Sequence, residues 1–226
     1  MVRLTEQQVK IRQFVTKTFL EKGYSPTKNE IAEYVKVEPS NVESVLKSLA
    51  ENKALVLHPH DSEVWIAHPF SGSPNSFWVQ SLTSKKGWYS NCCWCAMGIA
   101  ALAKEDVRLI SRWGGEEETF SVDVINGRLS SSNFVVHMAL PVARLWENVV
   151  HSCALMLPFK TEQDLIDWCQ RHRVEKGSSI SAEKCFELAS KWYGTYLDKD
   201  WNRKSPEEAK TFFASIGLDL NFSEIK

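Results

Sequence analysis

The chain of 226 residues is expected to adopt an α+β fold, and three features of the sequence point there. Three short amphipathic segments, each opened by a helix-capping signal, occupy the first 53 residues. Strand-like runs follow, interleaved with helical ones but without the regular alternation that builds a parallel sheet. The composition, 43% hydrophobic and 24% charged, is that of an ordinary globular chain, so disorder is not expected away from the ends.

Thr5-Glu6-Gln7-Gln8 is a capping box ahead of Val9, Ile11, Phe14, Val15 and Phe19, and Gly23 stops that helix. Thr27-Lys28-Asn29-Glu30 repeats the device before Ile31, Ala32 and Val35, and Ser40-Asn41-Val42-Glu43 repeats it before Val45, Leu46 and Leu49. Ala54–His58 and Glu63–Ala67 read as strands around a Pro-His-Asp-Ser turn. Three helices and a hairpin make a winged helix-turn-helix-like domain, assigned to residues 1–70. The turn-rich Ser71–Ser76 opens a second, mixed α+β domain, residues 71–226. There, strands are expected at Phe77–Thr83, Trp88–Asn91, Val107–Trp113, Thr119–Ile125, Asn133–Leu140 and Ser152–Phe159. Helices are expected at Cys92–Ala103, from Pro141 to Glu147, at Glu162–His172 and Ser181–Tyr196, and after the Ser205-Pro206 cap.

Charge narrows the partners. A formal net charge of −1 argues against a general binder of nucleic acid or anionic membrane. Between Met1 and Lys53, nine Lys/Arg stand against seven Asp/Glu. The third helix carries Glu43, Lys47 and Glu51 but no arginine or glutamine, so it is poorly equipped to read bases, and nucleic acid is not an expected partner. No apolar run approaches the roughly 18–20 residues that span a bilayer. The start, MVRLTEQQVKIRQ, lacks the apolar core of a signal peptide, so a cytoplasmic location is expected.

The cysteines carry the functional signal. Cys92, Cys93 and Cys95 fall within four residues, a poor layout for disulfides, and point to metal binding or reactive thiols. If a helix begins near Cys92, then Cys92 and Cys95 share a face, and the helix dipole and free backbone N–H groups there favour thiolate. Two neighbouring thiolates suit Cu(I), Zn, Cd or Hg. A structural zinc site would need a fourth ligand, for which His151 is nearest, sharing a face with Cys153 if Ser152–Phe159 is a strand. A redox Cys-x-x-Cys pair lacks the surrounding βαβ context. Cys93, Cys169 and Cys185 read as core.

The run Tyr89-Ser90-Asn91-Cys92-Cys93-Trp94-Cys95-Ala96-Met97-Gly98-Ile99 resembles the active-site motif of the organomercurial (alkylmercury) lyase family. His151-Ser152-Cys153-Ala154-Leu155-Met156-Leu157-Pro158-Phe159, followed by Asp167-Trp168, stands where that family has its second essential cysteine. The resemblance implies a winged-helix-like domain ahead of a mixed α+β catalytic domain. It also implies cleavage of a carbon–mercury, or related carbon–metal, bond by thiolate-assisted protonolysis, a detoxification chemistry. Cys92 and Cys153 match the two catalytic cysteines, while Cys95 stands where the family has its catalytic aspartate. A free thiol with a pKa of about 8.5 is mostly protonated at neutral pH, so Cys95 is expected to give a proton and become a third metal ligand. No organic cofactor is implied. Hg(II) is the bound product, with Cu or Zn as other soft occupants, cellular thiols are co-substrates, and a thiol or mercury-reducing partner would receive the metal. The rivals are a non-catalytic soft-metal binder using Cys92, Cys95 and Cys153, and a winged-helix metal sensor.

Other features are read as structural. His58, His60 and His68 are taken as surface or turn residues, and Glu116-Glu117-Glu118 as a solvated hairpin tip. Trp88, Trp94 and Met97 belong to the core or to an apolar pocket, and Tyr89 is placed to hydrogen-bond near the thiols. Walker, Gly-x-Gly-x-x-Gly, His-Glu-x-x-His and Gly-x-Ser-x-Gly patterns are absent.

Overall fold

Local capping chemistry lays out the amino-terminal third of this computed structural model, which describes residues 3–218. The first two residues and the last eight of the expected second domain lie outside that range. Helix α1 (Glu6–Lys22) opens on the reciprocal Thr5/Gln8 box and stops at Gly23, whose φ of 82° a side chain would resist. Helix α2 (Lys28–Val35) opens on the equivalent Thr27/Glu30 box. Helix α3 (Pro39–Glu51) departs from expectation: it begins ahead of Ser40, with Glu38 at the cap making no side-chain bond. Pro39 lacks an N–H and carries a helical φ, so it sets the start where the Ser40 box would have set a later one.

Strands β1 (Val56–Leu57) and β2 (Val64–Ala67) form the hairpin, and the sheet runs straight on through β3 (Phe70–Ser71). Strands β4 (Trp78–Ser81), β5 (Gly87–Ser90), β6 (Val107–Arg112), β7 (Thr119–Ile125) and β8 (Arg128–Leu129) complete eight antiparallel strands in the order β1-β2-β3-β5-β4-β6-β7-β8. Asn126 and Gly127, both at positive φ, make the β7–β8 turn. A second sheet of three strands sets β9 (Val135–Met138) between β10 (Pro158–Phe159) and β11 (Ser178–Ser181).

Helix α4 (Cys93–Ala103) is apolar all round and nearly all buried, lying between the sheet and α7 (Ala182–Tyr193). Gly98 permits the α4–α7 approach, because a Cβ there would lie 2.1 Å from the Tyr193 ring. Helices α6 (Glu162–His172) and α8 (Pro206–Ser215) begin at Thr161 and Ser205 capping boxes.

The first half of the expected strand Ser152–Phe159 is helical. Asn148 caps α5 (Val149–Leu155) by accepting a hydrogen bond from the His151 N–H, and only Pro158 and Phe159 join a sheet. An apolar run of that length suits either state, and the cap decides it. The segment expected to be helical after Pro141 forms only a 3-10 turn, Val142–Arg144. Among the described residues, no helix is long and apolar enough to cross a membrane.

The two halves are packed as one body. Trp88, fully buried, donates its indole N–H to the Phe19 and Leu20 carbonyls at 3.0 and 3.2 Å. A side chain of that size contributes about 2–3 kcal/mol by leaving water. The Arg12 guanidinium donates to the Tyr196 carbonyl at 2.7 Å and lies 3.2 Å from the Trp201 ring centroid. Arg203 donates back to the Asn52 and Lys53 carbonyls.

Candidate metal centre

Cys92 is the cap of α4. Its backbone is extended and its Sγ accepts the Cys95 N–H at 3.3 Å, a role usually filled by a serine or aspartate oxygen. The Cys92 thiol donates to Met156 Sδ at 3.8 Å, and the Cys93 N–H donates to the Met156 carbonyl at 3.1 Å. These contacts hold the start of α4 against the end of α5. One turn into α4, Cys95 Sγ lies 3.3 Å from the Tyr193 hydroxyl and 3.5 Å from His68 Nδ1. Cys153 comes from α5, whose start is fixed by Asn148 and by the Ser152 hydroxyl donating to the Leu145 carbonyl.

The three predicted cysteines therefore meet, all buried. The nearest set of candidate ligand atoms is His68, Cys95 and Cys153, all within 4.8 Å of one another. His68 is not the surface or turn residue expected: it is half-buried, and its Nε2 is enclosed with no protein partner among the described residues. His151 does not approach the site. On a helix it stands about 200° around the axis from Cys153, and it is exposed. Tyr89 also lies elsewhere, packed on Trp78 with ring centroids 4.7 Å apart, and Tyr193 takes the place expected for it. Cys93 and Cys185 contact each other in the core. Glu116 and Glu118 are tied by ion pairs to Arg171 and Lys160, so the expected solvated tip is partly anchored.

The electrostatics of the cluster are uneven. Burial opposes ionisation of Cys95, but hydrogen bonds from Cys153, Cys92 and His68, with the His68 charge, outweigh it and hold the thiol well below its ordinary range. Burial, followed by hydrogen bonds to Cys153 and Cys95 and their charges, pushes Cys92 well above that range. The hydrogen bond with Cys92 favours the Cys153 thiolate. The bond to Cys95, burial and the Cys95 charge prevail and push it up as well. These contacts favour negative charge on Cys95 over Cys92 and Cys153.

Cys95, Cys153 and His68 line a pocket that Cys92 does not reach. Trp94, Trp146, Trp192 and Tyr193 wall it, with Trp146 stacked on Trp192 at 5.6 Å, and Trp201, Arg203 and Lys204 roof it. Its free volume is about 50 Å³. A cavity of about 860 Å³ between Trp113, Lys160 and Trp168 is far larger but holds no cysteine, so chemistry rather than size selects the smaller one.

Residues 70–194 match the family model described as alkylmercury lyase, and residues 1–62 match that of the LexA DNA binding domain. Among solved structures, the mercury-bound form of MerB2 superposes with a TM-score of 0.67 at 19% identity, over 87% of this chain and 92% of that one. At that identity the likeness establishes the fold. No curated protein sequence matches the chain. The lyase model spans more than half of the residues and takes in the whole cysteine cluster with His68's neighbouring strand, and on this ground the chain belongs to the alkylmercury lyase family.

Proposed function

We propose that the protein cleaves a carbon–mercury bond by protonolysis within the cluster of Cys92, Cys95 and Cys153. The observation that carries the reading is Cys95 and Cys153 lining an aromatic pocket beside His68 and Tyr193, with Cys92 capping the helix next to them.

One negative charge among three sulfurs is the charge state that the reaction needs. The Cys95 thiolate takes the mercury of R–Hg⁺. A neighbouring thiol, Cys153 at the pocket wall or Cys92 behind it, gives its proton to the carbon. The electron pair of the breaking carbon–mercury bond goes to that proton, and R–H leaves. The sulfur that lost the proton becomes the second ligand of Hg(II). A monocation and one thiolate enter, and a neutral hydrocarbon and a neutral dithiolate complex result. In the sequence expectation Cys95 supplied the proton. The hydrogen bonds it receives favour its anion, so this reading gives Cys95 the capture step and its neighbours the proton. Cellular thiols then lift mercury from the site as co-substrates.

The test is a single-turnover assay with phenylmercury in excess thiol. Benzene release that disappears in Cys95→Ala supports the reading. Metal uptake without benzene contradicts it and favours a soft-metal binder.

The match of residues 1–62 supports a second reading, a DNA-binding metal sensor. Against it, Glu43 on α3 engages Lys28 and Lys47, and the hairpin is continuous with the large sheet. Strongly salt-dependent binding to duplex DNA would favour the sensor.

A further inference from the structure

We propose that His68 Nδ1, Cys95 Sγ and Cys153 Sγ form a three-ligand zinc site whose fourth coordination position opens into the aromatic pocket. The inference rests on the donor set and its geometry, and does not depend on the lyase reading.

A tetrahedral zinc with Zn–S of about 2.3 Å and Zn–N of about 2.0–2.1 Å has an S···N edge of about 3.5–3.6 Å. Cys95 Sγ and His68 Nδ1 are 3.5 Å apart, and the Cys153 sulfur lies within 4.8 Å of both.

Charge and ligand type agree with zinc. Two thiolates and a neutral imidazole make an electrically neutral complex with a divalent ion, which suits a buried position better than a charged one. The set has no carboxylate, so the hard cations Mg²⁺ and Ca²⁺ are poorly served, whereas sulfur and imidazole together favour a borderline ion. Among the described residues, no other group of three or more His, Cys, Asp and Glu converges in this way.

The fourth position follows from where each ligand faces. His68, Cys95 and Cys153 all line the pocket, and Cys92 does not. Cys92 is occupied as the α4 cap, its Sγ accepting the backbone N–H of the ligand Cys95 at 3.3 Å, an outer-shell contact. Three protein ligands with one open position is the arrangement of an exchange-competent site rather than a closed structural one. A bound zinc would therefore meet any thiophilic metal entering the pocket, and an organomercurial would expel one zinc per chain as it takes the thiolates.

The experiment uses the full-length protein, stripped with a chelator and reloaded with zinc, and reads the zinc-edge X-ray absorption fine structure. The expected shell is two sulfurs at about 2.3 Å and two nitrogen or oxygen atoms at about 2.0–2.1 Å. It should be preserved in Cys92→Ser. In His68→Gln, zinc affinity should fall by about 100-fold or more, at least the loss that outer-shell partners cause. Near-ultraviolet circular dichroism checks the fold of each variant. In the Co(II)-substituted wild type, added small thiol should shift the visible bands as it enters the open position. A shell of three or four sulfurs, or unchanged affinity in folded His68→Gln, overturns the proposal, as does failure of the folded wild type to bind one zinc. Hydrocarbon release is read separately, so a failed lyase assay and a failed zinc site are distinguishable.

Discussion

The amino-terminal helices and the cysteine pocket are assembled over different distances along the chain. Helices α1 and α2 take their ends from residues three positions apart, Thr5 with Gln8 and Thr27 with Glu30. The pocket draws His68 from beside β3, Cys95 from the first turn of α4, Cys153 from α5 and Tyr193 from the end of α7, with Cys92 as the α4 cap beside it. A cap satisfies a few backbone N–H groups, and its loss is local. In the pocket each sulfur sets the charge of the next, so removing one member alters the whole cluster.

The largest effect that sharpens this contrast is expected from Cys153→Ala. It removes both a mercury ligand and a proton source, and single-turnover hydrocarbon release should fall by about a thousand-fold, equivalent to ~4 kcal/mol of barrier. Next comes Gly98→Ala, one helical turn after Cys95. Its Cβ would drive into the Tyr193 ring, so thermal unfolding should show a loss of about 3 kcal/mol, with Tm lower by about 6–12 °C. Hydrocarbon release should fall too, because Tyr193 would be pushed off Cys95.

His68→Ala should act on pH dependence. The Cys95 thiol is held low against burial by Cys153, Cys92 and His68, so its capture rate should persist on acidification in the wild type. Without the imidazole the rate profile should move to higher pH, with alkylation by iodoacetamide slowed by about tenfold near neutrality. The stability contributions have opposite signs. That of Cys95 is present above the ordinary thiol range and is lost as pH falls through its depressed value. Those of Cys92 and Cys153 are intact at neutral pH and are lost as pH rises past the ordinary thiol range. The smallest effect is expected from Thr27→Ala, about 1 kcal/mol in denaturant unfolding with hydrocarbon release unchanged.

The same contrast decides what could be read from the sequence. The Thr5, Thr27, Thr161 and Ser205 boxes stand within four residues of the helices they start, and each helix begins there. The Ser40 box did not start its helix, because Pro39 occupies the first helical position. Cys92 and Cys95 were legible as a pair because one helical turn joins them. His68 gave no signal. It reaches Cys95 only because β3 pairs with β5, Phe70 opposite Ser90, which carries the preceding histidine to the start of α4. Tyr193 was hidden likewise, brought in by packing of α7 over Gly98. Cys153 was legible through resemblance, but its helix was misread because an apolar run of seven or eight residues fits either state until its Asn148 cap is considered.

The central claim is that the cluster holds both the nucleophile and the proton for cleavage. It is tested most directly by mixing the protein with one equivalent of phenylmercury in the absence of any external thiol. One equivalent of benzene should be released per chain, with Hg(II) left on the cysteines. Phenylmercury bound at the cysteines with its carbon–mercury bond intact would contradict the claim.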